Sequence, residues 1–178
     1  MEKLRDREHD FGAKLQQRAV LERLKQYIRW QRGGETPVLG PMSINLDLTP
    51  ACNYACPYCV DLDVINTGKR IPLDEIRQTI DTLASRGLLS VILIGGGEPT
   101  LHKDFADVVR YIKGKGLQLG IVTNGSKLDK VEAIASELGE KDWVRLSLDA
   151  AEEKAYAELH LPKVKITLSE ILEGAKKI

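Results

Sequence analysis

The sequence predicts an α/β fold with a parallel sheet of about four βα units, preceded by a helical extension. Short apolar, β-rich runs alternate with longer stretches whose apolar residues recur at helical spacing, which is the signature of βα units. The polar and glycine-rich motifs follow those runs directly, at the carboxyl ends of the expected strands, where parallel folds place their chemistry. With 178 residues the chain is long enough for one domain with its own core and short for two.

Residues 1–40 read as the extension and 41–178 as the core domain. In the extension, Leu15, Leu21, Leu24 and Ile28 form an apolar stripe among Lys and Arg, up to Gly33-Gly34. Interleaved Glu and Asp favour a solvated helix packed on the sheet domain over a membrane-surface or partner-docking helix. Strands are expected at Ser43–Leu48, Ser90–Ile94, Gln118–Val122 and Trp143–Leu148. Between them, Leu73, Ile76, Ile80 and Leu83 are spaced for one helix, Phe105, Val108, Val109 and Ile112 for a second, and Val131, Ile134 and Leu138 for a third. Pro72 suits a helix start, and Gly87, Gly114, Gly116 and Gly139 suit helix ends. A helix over Glu152–Leu159, an interruption at Pro162 and a last helix over Ser169–Lys177, capped by Thr167 or Ser169, complete the chain.

Charged residues make up 29% of the chain, with a formal net charge of +0, so no basic excess marks a nucleic-acid surface. The longest apolar run, Leu88–Ile94, is broken by Ser90 and falls far short of the roughly 20 residues that span a bilayer. The charged N-terminus lacks the apolar segment of a signal peptide, and a cytoplasmic location is expected.

All three cysteines of the chain, Cys52, Cys56 and Cys59, lie within one loop after the first expected strand. Their odd number and the absence of a secretory pattern disfavour disulfides. Thiolates suit soft metals and iron-sulfur clusters. A structural zinc site needs a fourth ligand, for which His102 and His160 are candidates, and buried core thiols would rarely occupy so polar and proline-punctuated a loop. A cubane held by three cysteines with one iron left open explains both the number and the asymmetry.

Cys-x3-Cys-x2-Cys directly after a strand, with Tyr58 before the third cysteine, resembles the radical S-adenosylmethionine (radical SAM) superfamily. Gly96-Gly97-Glu98, within Gly95–Thr100, looks like its Gly-Gly-Glu element. Thr123-Asn124-Gly125 and Ser147-Leu148-Asp149 resemble the ends of its third and fourth strands. The resemblance covers roughly residues 43–178 and implies a partial (β/α) TIM-like barrel. It implies a 4Fe-4S cluster on Cys52, Cys56 and Cys59, with S-adenosylmethionine chelating the open iron and yielding a 5′-deoxyadenosyl radical that abstracts hydrogen from an unknown substrate. A flavodoxin or ferredoxin would be the electron donor.

Carried over residue by residue, Gly96, Gly97 and Glu98 would hold the methionine group, with Glu98 on its ammonium. Tyr58 would present its backbone to adenine. Ser147 and Asp149 would contact the ribose or the carboxylate, and Thr123 or Asn124 would line the same wall. Asp149 reads equally as an N-cap with Glu152 in a capping box, and Asn124-Gly125 as a tight turn. His102 reads as a helix-start or loop residue, and Asp61 and Asp63 as solvated loop residues. Asn45 and Asp47 share a parity that would face the barrel interior, and His160, Lys163 and Lys165 carry no assigned role.

The family's barrel has six such units, so the fifth and sixth strands have no counterpart here. That leaves an exposed strand edge, which suggests a truncated or split protein, a fragment, or a homo-oligomer or partner covering the edge. The alternative function is a non-catalytic iron-sulfur or zinc-binding module, or one part of a split enzyme.

Overall fold

The computed structural model describes residues 18–37 and 39–178. The chain divides into two compact units, one up to Leu39 and one from Gly40 to Ile178. The first contains helix α1 (Arg18–Gln31), with Leu21, Leu24, Tyr27 and Ile28 about half exposed. Leu15, the first residue of the expected stripe, lies outside the described residues.

The second unit runs β1 (Ser43–Leu46), α2 (Leu73–Ser85), β2 (Ser90–Leu93), α3 (Phe105–Gly114), β3 (Gln118–Thr123), α4 (Leu128–Glu132), β4 (Trp143–Leu146), α5 (Glu153–His160) and α6 (Leu168–Ala175). The strands form one sheet in the order β1-β2-β3-β4, with every pair parallel. Such a sheet needs helical crossovers, and the apolar spacing supplies them. Ile76 and Ile80 of α2 and Val108, Val109 and Ile112 of α3 are fully or almost fully buried, in one cluster with Val91, Leu93, Leu119 and Ile121 of the central strands. Each such side chain contributes about 1.5–3 kcal/mol.

The opposite sheet face carries Asn45, Ile92, Gly120 and Trp143 in register. A Cβ on Gly120 would overlap the Trp143 indole, so this glycine makes room for the ring. Asn45 and Asp47 are exposed on that face. Among the described residues β1 and β4 are the edge strands, and no helix is long and apolar enough to cross a membrane.

Several expected elements are shorter. β1 and β4 each stop two residues early, at Leu46 and Leu146, with Ser147 keeping one last bond to β3 through its N–H to Thr123 O before the chain enters the loops above the sheet. The third helix is only one turn (α4), followed by a 3₁₀ turn at Ala135–Glu137. Val131 and Ile134 are nevertheless fully buried, so the spacing held while the backbone tightened into the i→i+3 bonds common at helix ends. Thr167, not Ser169, caps α6, in a complete capping box with Glu170. Asp149 does not cap α5: Glu152 occupies the N-cap, without a side-chain cap, and Asp149 sits in the left-handed region at φ +46°.

Candidate cluster and cofactor site

β1 delivers the chain to the top of the sheet through Leu48 and Thr49, both buried, and the cysteine loop starts there. The loop docks onto the ends of β2 and β3 and onto the segment after α5. At β2, the Glu98 N–H donates to Ala51 O at 2.8 Å, and Gly97 lies directly under the loop backbone. At β3, Asn53 donates through Nδ2 to Ser126 Oγ at 2.8 Å and accepts at Oδ1 from Asn124 Nδ2 at 2.9 Å. The segment after α5 runs alongside: Tyr54 bridges Pro162 in antiparallel fashion, Lys163 N–H donates to Asn53 O, and Ala55 N–H points at the carbonyls of His160 and Leu161.

Gly97 is indispensable to this docking. A Cβ there would strike the Ala51 oxygen, the Thr49 oxygen at 2.5 Å and the Pro50 carbonyl carbon at 2.7 Å, all backbone atoms that no rotamer can move. Gly97→Ala is expected to lower stability by about 2 kcal/mol, the range for overpacking, and to displace the cysteine loop. Thermal unfolding of the metal-free protein checks this, and an unchanged midpoint would contradict it. Gly95 and Gly96 have φ values of +88° and +60°, and a Cβ on either would meet the Asp47 carboxylate. Asp61 is not a solvated bystander, since its Oδ2 accepts from Gly96 N–H at 3.3 Å. Burial first, and then the neighbouring Asp61, raise the pKa of Asp47.

Glu98 is buried, with 3% exposure, and its carboxylate is turned into the protein. Oε1 accepts from Thr100 N–H at 3.1 Å, Thr100 Oγ1 at 2.6 Å and Thr123 Oγ1 at 2.7 Å, and Oε2 from Asn124 N–H at 2.7 Å. A carboxylate offers about four lone-pair sites. Oε1 is fully engaged and Oε2 accepts a single bond, so the side chain ties the end of β2 to that of β3 whatever else Oε2 meets.

The three thiols are half-buried and unpaired. Cys59 N–H closes a turn onto Cys56 O at 3.2 Å. Burial raises the pKa of Cys52, and burial and then the charges of Cys52 and Cys59 push Cys56 up to about 11. Among the described residues no three His, Cys, Asp or Glu side chains converge as the ligands of a single ion would. A cubane offers a separate iron to each thiolate, so its ligands stand further apart, and three soft donors on one loop fit it.

His160, which the sequence offered only as a possible fourth zinc ligand and otherwise left without a role, sits against the cysteine loop. It is 2% exposed, its Nε2–H donates to Leu148 O at 2.8 Å, and its Nδ1 lies 3.4 Å from Cys56 Sγ. Its ring packs on Tyr156, centroid to centroid at 4.7 Å, and Tyr156 Oη meets Tyr54 Oη at 2.7 Å beneath the loop. The available signal was the i, i+4 spacing of Tyr156 and His160, the two buried residues of α5. Tyr58 is half exposed, with its hydroxyl 3.4 Å from both Asp149 Oδ2 and His160 Nδ1. Burial, then Cys56 and Asp149, push its pKa up to about 12. Ser147 N–H donates to Thr123 O, continuing the β3–β4 ladder. His102 is fully buried away from the cysteines: Nε2–H donates to Ile71 O and Nδ1 accepts from Asp104 N–H, which leaves no nitrogen for a ligand.

The Radical SAM superfamily model matches residues 46–178, from the end of β1 through all of the loop and strand ends just described. The chain belongs to the radical SAM superfamily. Members of this superfamily bind a 4Fe-4S cluster and S-adenosylmethionine. The chain is 38% identical over 118 residues to an S-adenosylmethionine-dependent nucleotide dehydratase of Selenomonas ruminantium, covering 65% of this chain and 42% of that protein. It is 31% identical over 135 residues to a probable GTP 3′,8-cyclase of Pyrococcus horikoshii, covering 76% and 42%. In fold it is similar to Streptococcus suis SuiB bound to S-adenosylmethionine, with a TM-score of 0.64 and 20% identity over 88% of this chain and 34% of that one. The chain thus spans less than half the length of these relatives.

Proposed function

We propose that this chain is the cluster- and cofactor-binding core of a radical SAM enzyme. The observation that carries the reading is the docking of a three-cysteine loop onto the ends of β2 and β3, beside Gly95–Gly97. Cys52, Cys56 and Cys59 would ligate a 4Fe-4S cluster and leave one iron for S-adenosylmethionine. When bound, such a cluster supplies the electron that cleaves the sulfonium carbon-sulfur bond, giving methionine and a 5′-deoxyadenosyl radical that takes hydrogen from the substrate.

The protein's own residues provide position. Gly97 lets the cysteine loop close onto the end of β2 and Gly96 makes room for the Asp47 carboxylate, and by the family resemblance this run would hold the methionine group. Glu98 acts from beneath, fixing Thr123 and Asn124, and Ser147 and Asp149, which follow β4, would meet the ribose or the carboxylate. Tyr58 presents its backbone to adenine. Both relatives compared by sequence are named for chemistry on nucleotides, so nucleotides are the first substrate class to test. A flavodoxin- or ferredoxin-type donor and a cytoplasmic location complete the proposal.

The test is electron paramagnetic resonance on anaerobically reconstituted, dithionite-reduced protein. A reduced-cluster signal that changes when S-adenosylmethionine is added is the expected result. A colourless protein that takes up zinc and no iron would overturn the reading.

A further inference from the structure

Asn66 lies seven residues beyond the last cysteine, in a segment that no motif marks, yet it is one of three described non-glycine residues at positive φ, at +59°. Asparagine tolerates this conformation better than most residues, and an outlier held in it points to a constraint imposed by its surroundings. The constraint is visible: both polar groups that Asn66 turns inward bind the start of the cysteine loop. Its backbone N–H donates to Pro50 O at 2.6 Å, and its side-chain Oδ1 accepts from Cys52 N–H at 3.0 Å. Successive turns, Val64 and Ile65 N–H to Asp61 O and Thr67 N–H to Val64 O, shape residues 61–67 so that the chain returns to the loop it has just left. One exposed residue therefore brackets Pro50, Ala51 and Cys52, and it occupies the first cysteine's amide, a group otherwise free to turn toward the cluster.

We infer that Asn66 is a positioning residue for the cluster, its left-handed backbone and side-chain oxygen together fixing Cys52; this rests on the reading of the three cysteines as cluster ligands. A hydrogen-bond donor near a cluster's sulfurs tunes its potential. By holding the Cys52 N–H, Asn66 sets where the first thiolate points and keeps that donor from the sulfurs.

Three variants separate the two contributions. Asn66→Asp keeps both the acceptor and tolerance of positive φ, Asn66→Gly keeps only the backbone freedom, and Asn66→Ala loses both. Because Asn66 is exposed, folding of the variants is expected to survive. The metal-free readout is amide exchange in ¹⁵N-cysteine-labelled protein, where only three cysteine amides report. Exchange at Cys52 is expected to accelerate roughly fivefold in Asn66→Gly, the factor one ordinary hydrogen bond contributes. In Asn66→Asp it stays near wild type.

In reconstituted protein, Asn66→Gly is expected to lose iron to a chelator several-fold faster and to show a raised cluster potential. Asn66→Asp retains its iron. A lowered thermal midpoint with unchanged iron release and potential would make Asn66 merely a loop former and overturn the inference. Wild-type protein that takes up no iron while Cys52 exchange still responds to Asn66 would instead overturn the cluster reading, and the positioning role with it.

Discussion

Glu98→Ala is expected to melt far below wild type even as metal-free protein with no cofactor present. The side chain is almost fully buried and accepts four hydrogen bonds, from the Thr100 backbone and hydroxyl, the Thr123 hydroxyl and the Asn124 backbone. Bonds to a charged acceptor contribute about 1.5–3 kcal/mol each, and a buried donor left without a partner costs about 1–3 kcal/mol. These terms overlap, and Thr hydroxyls can rotate toward other acceptors, so the net loss is put at about 3–5 kcal/mol. For a chain of this size that lowers the unfolding midpoint by roughly 10 °C.

Glu98→Gln separates charge from geometry. Its amide oxygen can serve the three donors at Oε1, but the NH₂ then faces Asn124 N–H, donor against donor, and about 1–3 kcal/mol is lost. A residue that only grips the cofactor's ammonium would behave differently. Its alanine variant would melt like wild type and lose only affinity for S-adenosylmethionine, and that result would show that the inward orientation is not what the motif is for.

Why this was hidden in the sequence is physical. Gly-Gly-Glu is a local pattern and was legible, but the direction of the Glu98 side chain depends on donors at Thr123 and Asn124, which only strand pairing brings near. The same division runs through the fold. Helices α2 and α3 and the positions of the strands follow from patterns that reside within each segment, as Ile76, Ile80, Val108 and Ile112 illustrate for the helices. The one-turn α4 broke the rule because burial fixed Val131 and Ile134 without requiring a continuous helix between Leu128 and Leu138.

The cysteine loop is legible as a ligand set because its residues are adjacent in sequence. What holds it is not. Cys56 meets His160, Tyr54 meets Tyr156 and Asn53 meets Asn124 across 104, 102 and 71 residues of chain, and no spacing rule connects them. Of the two readings of Asp149, the cap fails for a related reason. A capping box presumes an extended N-cap, whereas the exit from β4 takes Asp149 into the left-handed region and leaves that position to Glu152. The bracing contacts tie the loop at once to the ends of β2 and β3 and to the segment after α5, which is the arrangement the proposed cofactor site requires.

Cys56→Ala is expected to abolish iron retention while leaving the fold nearly intact. Two thiolates hold a cubane poorly, so iron and acid-labile sulfide after anaerobic reconstitution should fall to background and the visible absorption should vanish. The fold has other anchors for this stretch of chain: the Tyr54 to Tyr156 hydroxyl contact, the Tyr54–Pro162 bridge and the Asn53 bonds to Asn124 and Ser126 do not involve the sulfur. Losing one half-buried sulfur costs about 1 kcal/mol, read as a small drop in the unfolding midpoint. The contrast with Glu98→Ala is diagnostic, because that variant unfolds early whereas Cys56→Ala folds and is empty. Iron held at the wild-type level in Cys56→Ala, with a signal that still responds to S-adenosylmethionine, would remove Cys56 from the ligand set. His160, whose Nδ1 already stands 3.4 Å from that sulfur, would then be the side chain to substitute next.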